Sequence, residues 1–348
     1  MNPLVLSILI SSLGLGTTIT FIGSHWLLIW MGLEINTMAI IPLMIQQQHP
    51  RAVEATTKYF LTQATASALL LFAGTTNAWM TGQWDITEMM NPVSATLITT
   101  ALALKIGLAP MHFWLPEVLQ GLNLTTGLIL STWQKLAPFA ILLQLNHMLN
   151  PHLLILFGIL SIILGGWGGL NQTQLRKILA YSSIAHLGWM VVILHYAPNL
   201  TLLSLTLYII MTTSMFLLFN TFNTTKINSI ASSTTKSPLL TIITLTTLLS
   251  LGGLPPLTGF MPKWLILQEL TKQNLVIPAT IMALTALLSL FFYLRLCYTT
   301  TLTLSPNPIN HTSSWRTKLK QPNLILALTA SISILLLPLT PPMLTLLS

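Results

Sequence analysis

Charge is what this sequence has least of. Only 6% of its 348 residues are Asp, Glu, Lys or Arg, against 53% apolar, with a mean hydropathy of +0.76. So few charges cannot clothe a soluble domain of this size, and the chain reads as an all-α polytopic membrane protein. Cysteine is scarce too: the single Cys297 excludes an intrachain disulfide and any multi-cysteine iron-sulfur or zinc site. The eight histidines form no HExxH pair, and the 18 glycines form neither GxGxxG nor a Walker loop. No metal, flavin, nucleotide or haem site is therefore expected in the chain. The opening MNPLVLSILISSLGLGTT has no basic region, cleavage site or Arg-rich amphipathic presequence, so the first helix is expected to be retained.

Apolar runs are what the chain has in plenty. They fall at about 3–23, 25–45, 56–80, 94–120, 124–146, 150–170, 174–196, 200–223, 237–271, 275–300 and 322–343, which predicts eleven transmembrane helices. At 1.5 Å per residue each is long enough to cross a hydrocarbon core about 30 Å thick. The formal net charge of +8 does not indicate nucleic acid, because the basic residues fall in loops rather than on one soluble face. Loops after even-numbered helices hold Arg51, Lys58, Arg176, Lys177, Lys226, Lys236, Arg316, Lys318 and Lys320 against Glu54, while the loop after helix 3 holds Asp85 and Glu88. The positive-inside rule puts the N-terminus on the inner side and, with an odd count, the C-terminus outside.

Two segments repeat at an offset of 146 residues: IGLAPMHFWLPEVL from Ile106 and GGLPPLTGFMPKWL from Gly252. They lie on helices 4 and 9, five crossings apart, so the repeats are expected to be inverted. Proline in mid-helix removes a backbone donor and clashes with the preceding turn, so Pro110 and the pair Pro255 and Pro256 are expected to break their helices. Paired broken helices in inverted halves point to a transport pathway near the membrane midplane. The expected divisions are 1–147 and 148–300 as five-helix repeats, 301–321 as a basic loop and 322–348 as a C-terminal transmembrane helix.

Four charges sit inside the apolar runs: Glu34, Lys105, Lys135 and Lys263. Lys135 lies about eleven residues from either end of its run, about 16 Å of rise, whereas a lysine side chain reaches about 6 Å. It must face protein or water. A charge at mid-membrane costs about 2.5–3.5 kcal/mol, so four of them need an offsetting role. One role is salt bridging between helices; the other is proton transfer, since burial brings amines and carboxylic acids toward exchange near neutrality. His112 and His186, both read as helical, are candidates to extend such a relay or to pack as hydrogen-bonded core residues. Na⁺ transport has less support, because a hard cation wants more oxygen ligands than these few acids supply. Glu117 and Glu269 read as interfacial, and Trp26, Trp30, Trp79 and Trp84 as interface anchors.

The segments HWLLIWMGLEINTMAIIPL, LALKIGLAPMHFWLPEVLQG, STWQKLAPFAILLQL and LGGLPPLTGFMPKWLILQEL resemble the antiporter-like membrane subunits of vertebrate mitochondrial respiratory complex I, and the likeness runs along essentially the whole chain. The resemblance implies an antiporter-like fold, proton pumping and a place in the mitochondrial inner membrane, with the N-terminus on the matrix side and the C-terminus toward the intermembrane space. It also implies synthesis inside the organelle. Glu34 and Lys105 then match the family's switching carboxylate and lysine, Lys135 the middle lysine of its polar axis, and Lys263 the lysine on the second broken helix. FMN, iron-sulfur clusters and ubiquinone are expected in partner subunits, with other subunits of the complex and lipids such as cardiolipin as partners. Bacterial relatives carry fourteen helices, and this chain is expected to lack the first three. The alternatives weighed are a free-standing cation/proton antiporter and a structural membrane spacer.

Overall fold

Residues 2–46, 48–88, 91–233, 238–302 and 324–347 are described by a computed structural model, and the helices run α1 (Pro3–Ile22), α2 (Trp26–Met44), α3 (Pro50–Thr81), α4 (Pro92–Ile106), α5 (Trp114–Gly121), α6 (Leu124–Ser131), α7 (Trp133–Gln144) and α8 (Pro151–Gly169). There follow α9 (Leu175–Ile193), α10 (Pro198–Phe222), α11 (Ile227–Ser233), α12 (Pro238–Gly252), α13 (Phe260–Lys272), α14 (Val276–Leu302), α15 (Leu324–Leu335) and α16 (Thr340–Leu347). The starts are written locally. Asn2, His49, Asn91 and Asn150 each precede a proline, and each side chain accepts a backbone N–H of the first turn. Proline at the first helical position loses only a donor that has no partner there anyway.

Each predicted apolar run contains a helix or an interrupted pair: α4 with α5, α6 with α7, α12 with α13, α15 with α16. Among the described residues, six helices, counting Leu124–Gln144 as one, are long and apolar enough to span alone, and the bent C-terminal pair makes up to seven. Where one C-terminal helix is expected at 322–343, the chain forms this pair, bent by 73°. Pro338 cannot continue the α-helical ladder, and a short 3-10 turn, Leu337–Leu339, fills the corner. Of the expected basic loop at 301–321, residues 301 and 302 end α14, whereas 303–321, with Arg316, Lys318 and Lys320, lie outside the described residues, as does Lys236.

Loop contacts sort the helix ends into two groups. Lys226 lies beside Gln174 in an isolated bridge, Arg176 donates to the Leu122 carbonyl, and Arg295 donates to the Leu170 carbonyl, gathering basic residues at one end. At the other end Asp85 bridges His25, and Gln144 donates to the Phe21 carbonyl.

Membrane helices gain little from burying apolar surface against each other, so close packing of small residues must hold them. A Cβ built on Gly16 would lie 2.9 Å from the Gly32 carbonyl, and one built on Gly32 the same distance from the Gly16 carbonyl. These contacts set the α1–α2 crossing. On α9, a Cβ on Gly188 would lie 2.1 Å from Ser161 Oγ and 2.7 Å from the Gly158 carbonyl. Because backbone cannot move aside as a side-chain tip can, Gly188→Ala should cost at least the ~1–3 kcal/mol typical of overpacking. The expected result is less assembled complex on native gels and a lower Tm; wild-type values would show that α8 and α9 can separate freely.

Candidate functional site

Both predicted helix breaks are present and are built alike. α4 ends at Gly107 and α12 at Gly253, with φ of +85° and +81°. The amides of Gly107 and Leu108 both bond the Ala103 carbonyl; those of Gly253 and Leu254 both bond the Leu249 carbonyl. Glycine takes the left-handed cap and proline three residues on prevents restart, so each helix stops before its proline. Trp114 Nε1 donates to the Leu104 carbonyl at 3.1 Å beside the first break, and Lys263 Nζ donates to the Gly252 carbonyl at 2.8 Å across the second. Under the 146-residue offset, Lys263 corresponds to Glu117, not to Lys105. His112, expected in a helix, lies in the linker between α4 and α5, because the break begins five residues ahead of it. It is buried against Phe113 and Tyr181.

A third interruption was not predicted. Thr132 separates α6 from α7, and the Lys135 amide bonds the Thr132 carbonyl rather than that of Ser131. The freed Ser131 carbonyl accepts from Tyr208 Oη at 3.1 Å, and the same hydroxyl accepts from Lys135 Nζ at 3.0 Å. The Lys135 amine also lies 5.0 Å from the centre of the Tyr208 ring. Ser183 and Ser182 of α9 lie near Tyr208 and Tyr293, their hydroxyls donating to the Ala180 and Leu179 carbonyls. The His186 ring lies 5.8 Å from that of Tyr208, near the Leu251 carbonyl beside the second break and within electrostatic reach of Lys135 and Lys263. A polar seam thus runs from Lys135 through Tyr208 and His186 to the break that holds Lys263.

Lys105 and Lys135 line one buried cavity of about 20 Å³ with Asn36, Gln63, Tyr59 and Gln134, enough for a single water. Lys105 Nζ, Gln63 Nε2 and both polar atoms of the Asn36 side chain have no hydrogen-bond partner there. Glu34 faces elsewhere. It lines an open groove of about 420 Å³ with Leu9, Trp30, Met31 and Met38, and its Oε2 accepts from Thr37 Oγ1 at 3.1 Å. Glu34 and Asn36 are about 200° apart around α2, so the helix cannot aim both at Lys105. Glu34 remains within electrostatic reach of Lys105 without an ion pair.

The described ion pairs are Lys58 with Glu54 and Glu117, both at 2.7 Å, and Lys272 with Glu269 at 3.2 Å. None involves a buried amine, so interhelical salt bridges do not account for Lys105, Lys135 or Lys263. Glu54 precedes the apolar run of α3; the hydrogen bond from Lys58, then its charge, hold the carboxyl below its ordinary range. Tyr208, Gln63, Asn36 and the two serines of α9 went unmarked in the sequence. The polar cluster in YSSIAH from Tyr181 is the signal that could have found the serines.

Two broken helices flanking a file of buried amines define an antiporter-type membrane subunit. Residues 23–289 match the family described as NADH:quinone oxidoreductase/Mrp antiporter, TM, and residues 290–344 match NADH dehydrogenase subunit 2 C-terminus. The chain is 79% identical over 341 residues to NADH-ubiquinone oxidoreductase chain 2 of Squalus acanthias, covering 98% of each chain, and 77% identical to that of Scyliorhinus canicula, covering all of both. The fold matches a chain of respiratory complex I from Thermus thermophilus with a TM-score of 0.85 at 27% identity, covering 98% of this chain and 79% of that one. A chain of the Mrp complex from Dietzia shares the fold with a TM-score of 0.81 at 17% identity, covering 97% and 76% respectively. The chain belongs to the NADH-ubiquinone oxidoreductase chain 2 family, the antiporter-like membrane subunits of respiratory complex I.

Proposed function

We propose that this subunit translocates protons along the file Lys105, Lys135, Tyr208, His186 and Lys263, driven by quinone reduction elsewhere in the complex. The observation that carries the reading is a set of amines without counter-ions inside the helix bundle: Lys135 bonded to a hydroxyl, Lys263 to the carbonyl of a broken helix, and Lys105 unpartnered in its cavity. An amine held this way exchanges a proton with the next polar group without first separating from a carboxylate. Glu34, set apart in its groove, acts on Lys105 through the electric field, and His112 supports the first break. The chain carries no redox centre; FMN, iron-sulfur clusters and ubiquinone belong to partner subunits. The test is the number of protons pumped per NADH oxidised by the assembled complex in vesicles as the buried amines are removed one at a time.

The two similarly capped breaks support inverted five-helix repeats over 1–147 and 148–300, within eleven crossings. The gathering of basic residues at one end supports a mitochondrial inner-membrane orientation with the N-terminus on the matrix side and the C-terminus opposite. A protease applied from one side should cut the 301–321 loop together with the N-terminus. Cuts from opposite sides would refute the topology.

A further inference from the structure

At the basic end of the molecule an open pocket of about 310 Å³ is lined by Arg51, Glu54, Lys58, Glu117, Gln120 and Lys177. Its walls are α3, α5 and, through Lys177, α9, and α3 and α5 also help to line the Lys105 cavity. On α3 the two spaces lie along one buried stripe, Ala55, Tyr59 and Gln63, spaced by four residues. Between them Tyr59 meets Trp114 edge to face, with centroids 5.7 Å apart and planes at 60°. Those two rings line the small buried cavity, and Ala55, one turn before Tyr59, lines the open charged pocket.

The pair of rings is tied at both ends. Lys58, next to Tyr59, bonds Glu117, one turn beyond Trp114, so that ion pair clamps together the two helices carrying the rings. Trp114 is also hydrogen-bonded to the Leu104 carbonyl, one residue from Lys105. A movement of the first break therefore moves the pair. Behind it, Lys105 Nζ, Gln63 Nε2 and the Asn36 amide are buried without partners, and unpaired polar atoms at such depth call for water.

We propose that Lys105 is loaded from the Arg51–Lys177 pocket through a water held by Gln63 and Asn36, with the Tyr59–Trp114 contact as the gate and the Lys58–Glu117 ion pair as its latch. The inference rests on the proton-relay reading above and adds the route to Lys105 and the residues that gate it. Gln63 and Asn36 are positioning residues: they hold the water that passes the proton and do not carry it themselves. The held water gives one proton to the Lys105 amine, an O–H bond breaking as the N–H bond forms, and takes one in turn from water in the Arg51–Lys177 pocket.

The test uses the assembled complex in oriented vesicles, with Cys297→Ser to remove the native thiol and Gln63→Cys as reporter. A small cationic methanethiosulfonate should label position 63 from the basic-loop side only. Adding Glu117→Gln should speed labelling about threefold, in line with the worth of a half-exposed ion pair. Labelling from the opposite side, a rate indifferent to Glu117→Gln, or no labelling at all would overturn the route. Should the variants fail to assemble, a high-resolution map of the unaltered complex decides: a water within hydrogen-bond distance of Lys105 Nζ and Gln63 supports the proposal, and a dry cavity defeats it. Failure of the route leaves the pumping defect expected of Lys135→Met intact, whereas failure of the relay reading removes that defect, so the two are distinguishable.

Discussion

Replacing Lys135 by methionine is expected to abolish this subunit's share of proton pumping in a complex that still assembles. Lys135 is buried at 4% exposure, its stem packs in the core, and methionine matches that stem in length and flexibility. Its amine has no carboxylate partner, so the change strands no opposite charge, which is the usual reason that removing a buried ion destabilises. Tyr208 Oη keeps its bond to the Ser131 carbonyl. What disappears is the exchangeable proton between the Lys105 cavity and the seam leading to His186. The measurement is protons pumped per NADH oxidised in reconstituted vesicles. An unchanged ratio in a fully assembled complex would return these charges to a structural role.

That expectation was legible in the sequence because a lysine in a long apolar run is conspicuous whatever surrounds it. The helix breaks were legible for a similar reason: glycine and proline restrict the backbone locally, and the same pattern occurs twice. Partners across helices were not legible. Glu34 and Lys105 are both central in their runs, yet rotation about α2 turns Glu34 into an open groove beside α1 and leaves Asn36 lining the Lys105 cavity. Trp26, read as an interface anchor, is instead buried at 4% exposure against Gly74, while Trp79 is 86% exposed. A tryptophan near a helix end looks the same in sequence whether its ring faces lipid or a glycine on the next helix.

The break at Thr132 was missed because none of its neighbours is a glycine or a proline; LILSTWQK reads as continuous helix. Tertiary bonds there offset the lost helical turn. Thr132 Oγ1 returns to the Leu128 carbonyl at 2.7 Å, and the Ser131 carbonyl, left without its ladder donor, is taken by Tyr208. Such a distortion forms only when a donor waits on another helix, and hydropathy carries no record of it.

Tyr208→Phe isolates that contribution. The ring is buried within the apolar core around α10, and phenylalanine preserves its packing, so the fold and the cation–π approach of Lys135 survive. The hydroxyl is the atom that touches both the Lys135 amine and the Ser131 carbonyl, and without it the amine has no bonded neighbour toward His186. Losing a positioned proton carrier typically slows transfer by about 10²-fold or more, so this step should become limiting for the subunit. The proton-to-NADH ratio should fall toward that of Lys135→Met, with a normal amount of assembled complex on native gels. Two further variants sharpen the reading. Tyr208→His restores an exchangeable group at the same depth and should recover part of the ratio, whereas Tyr208→Leu should not. If Tyr208→Phe pumps as the parent complex does, protons leave Lys135 by another path and the hydroxyl serves only to cap the broken helix.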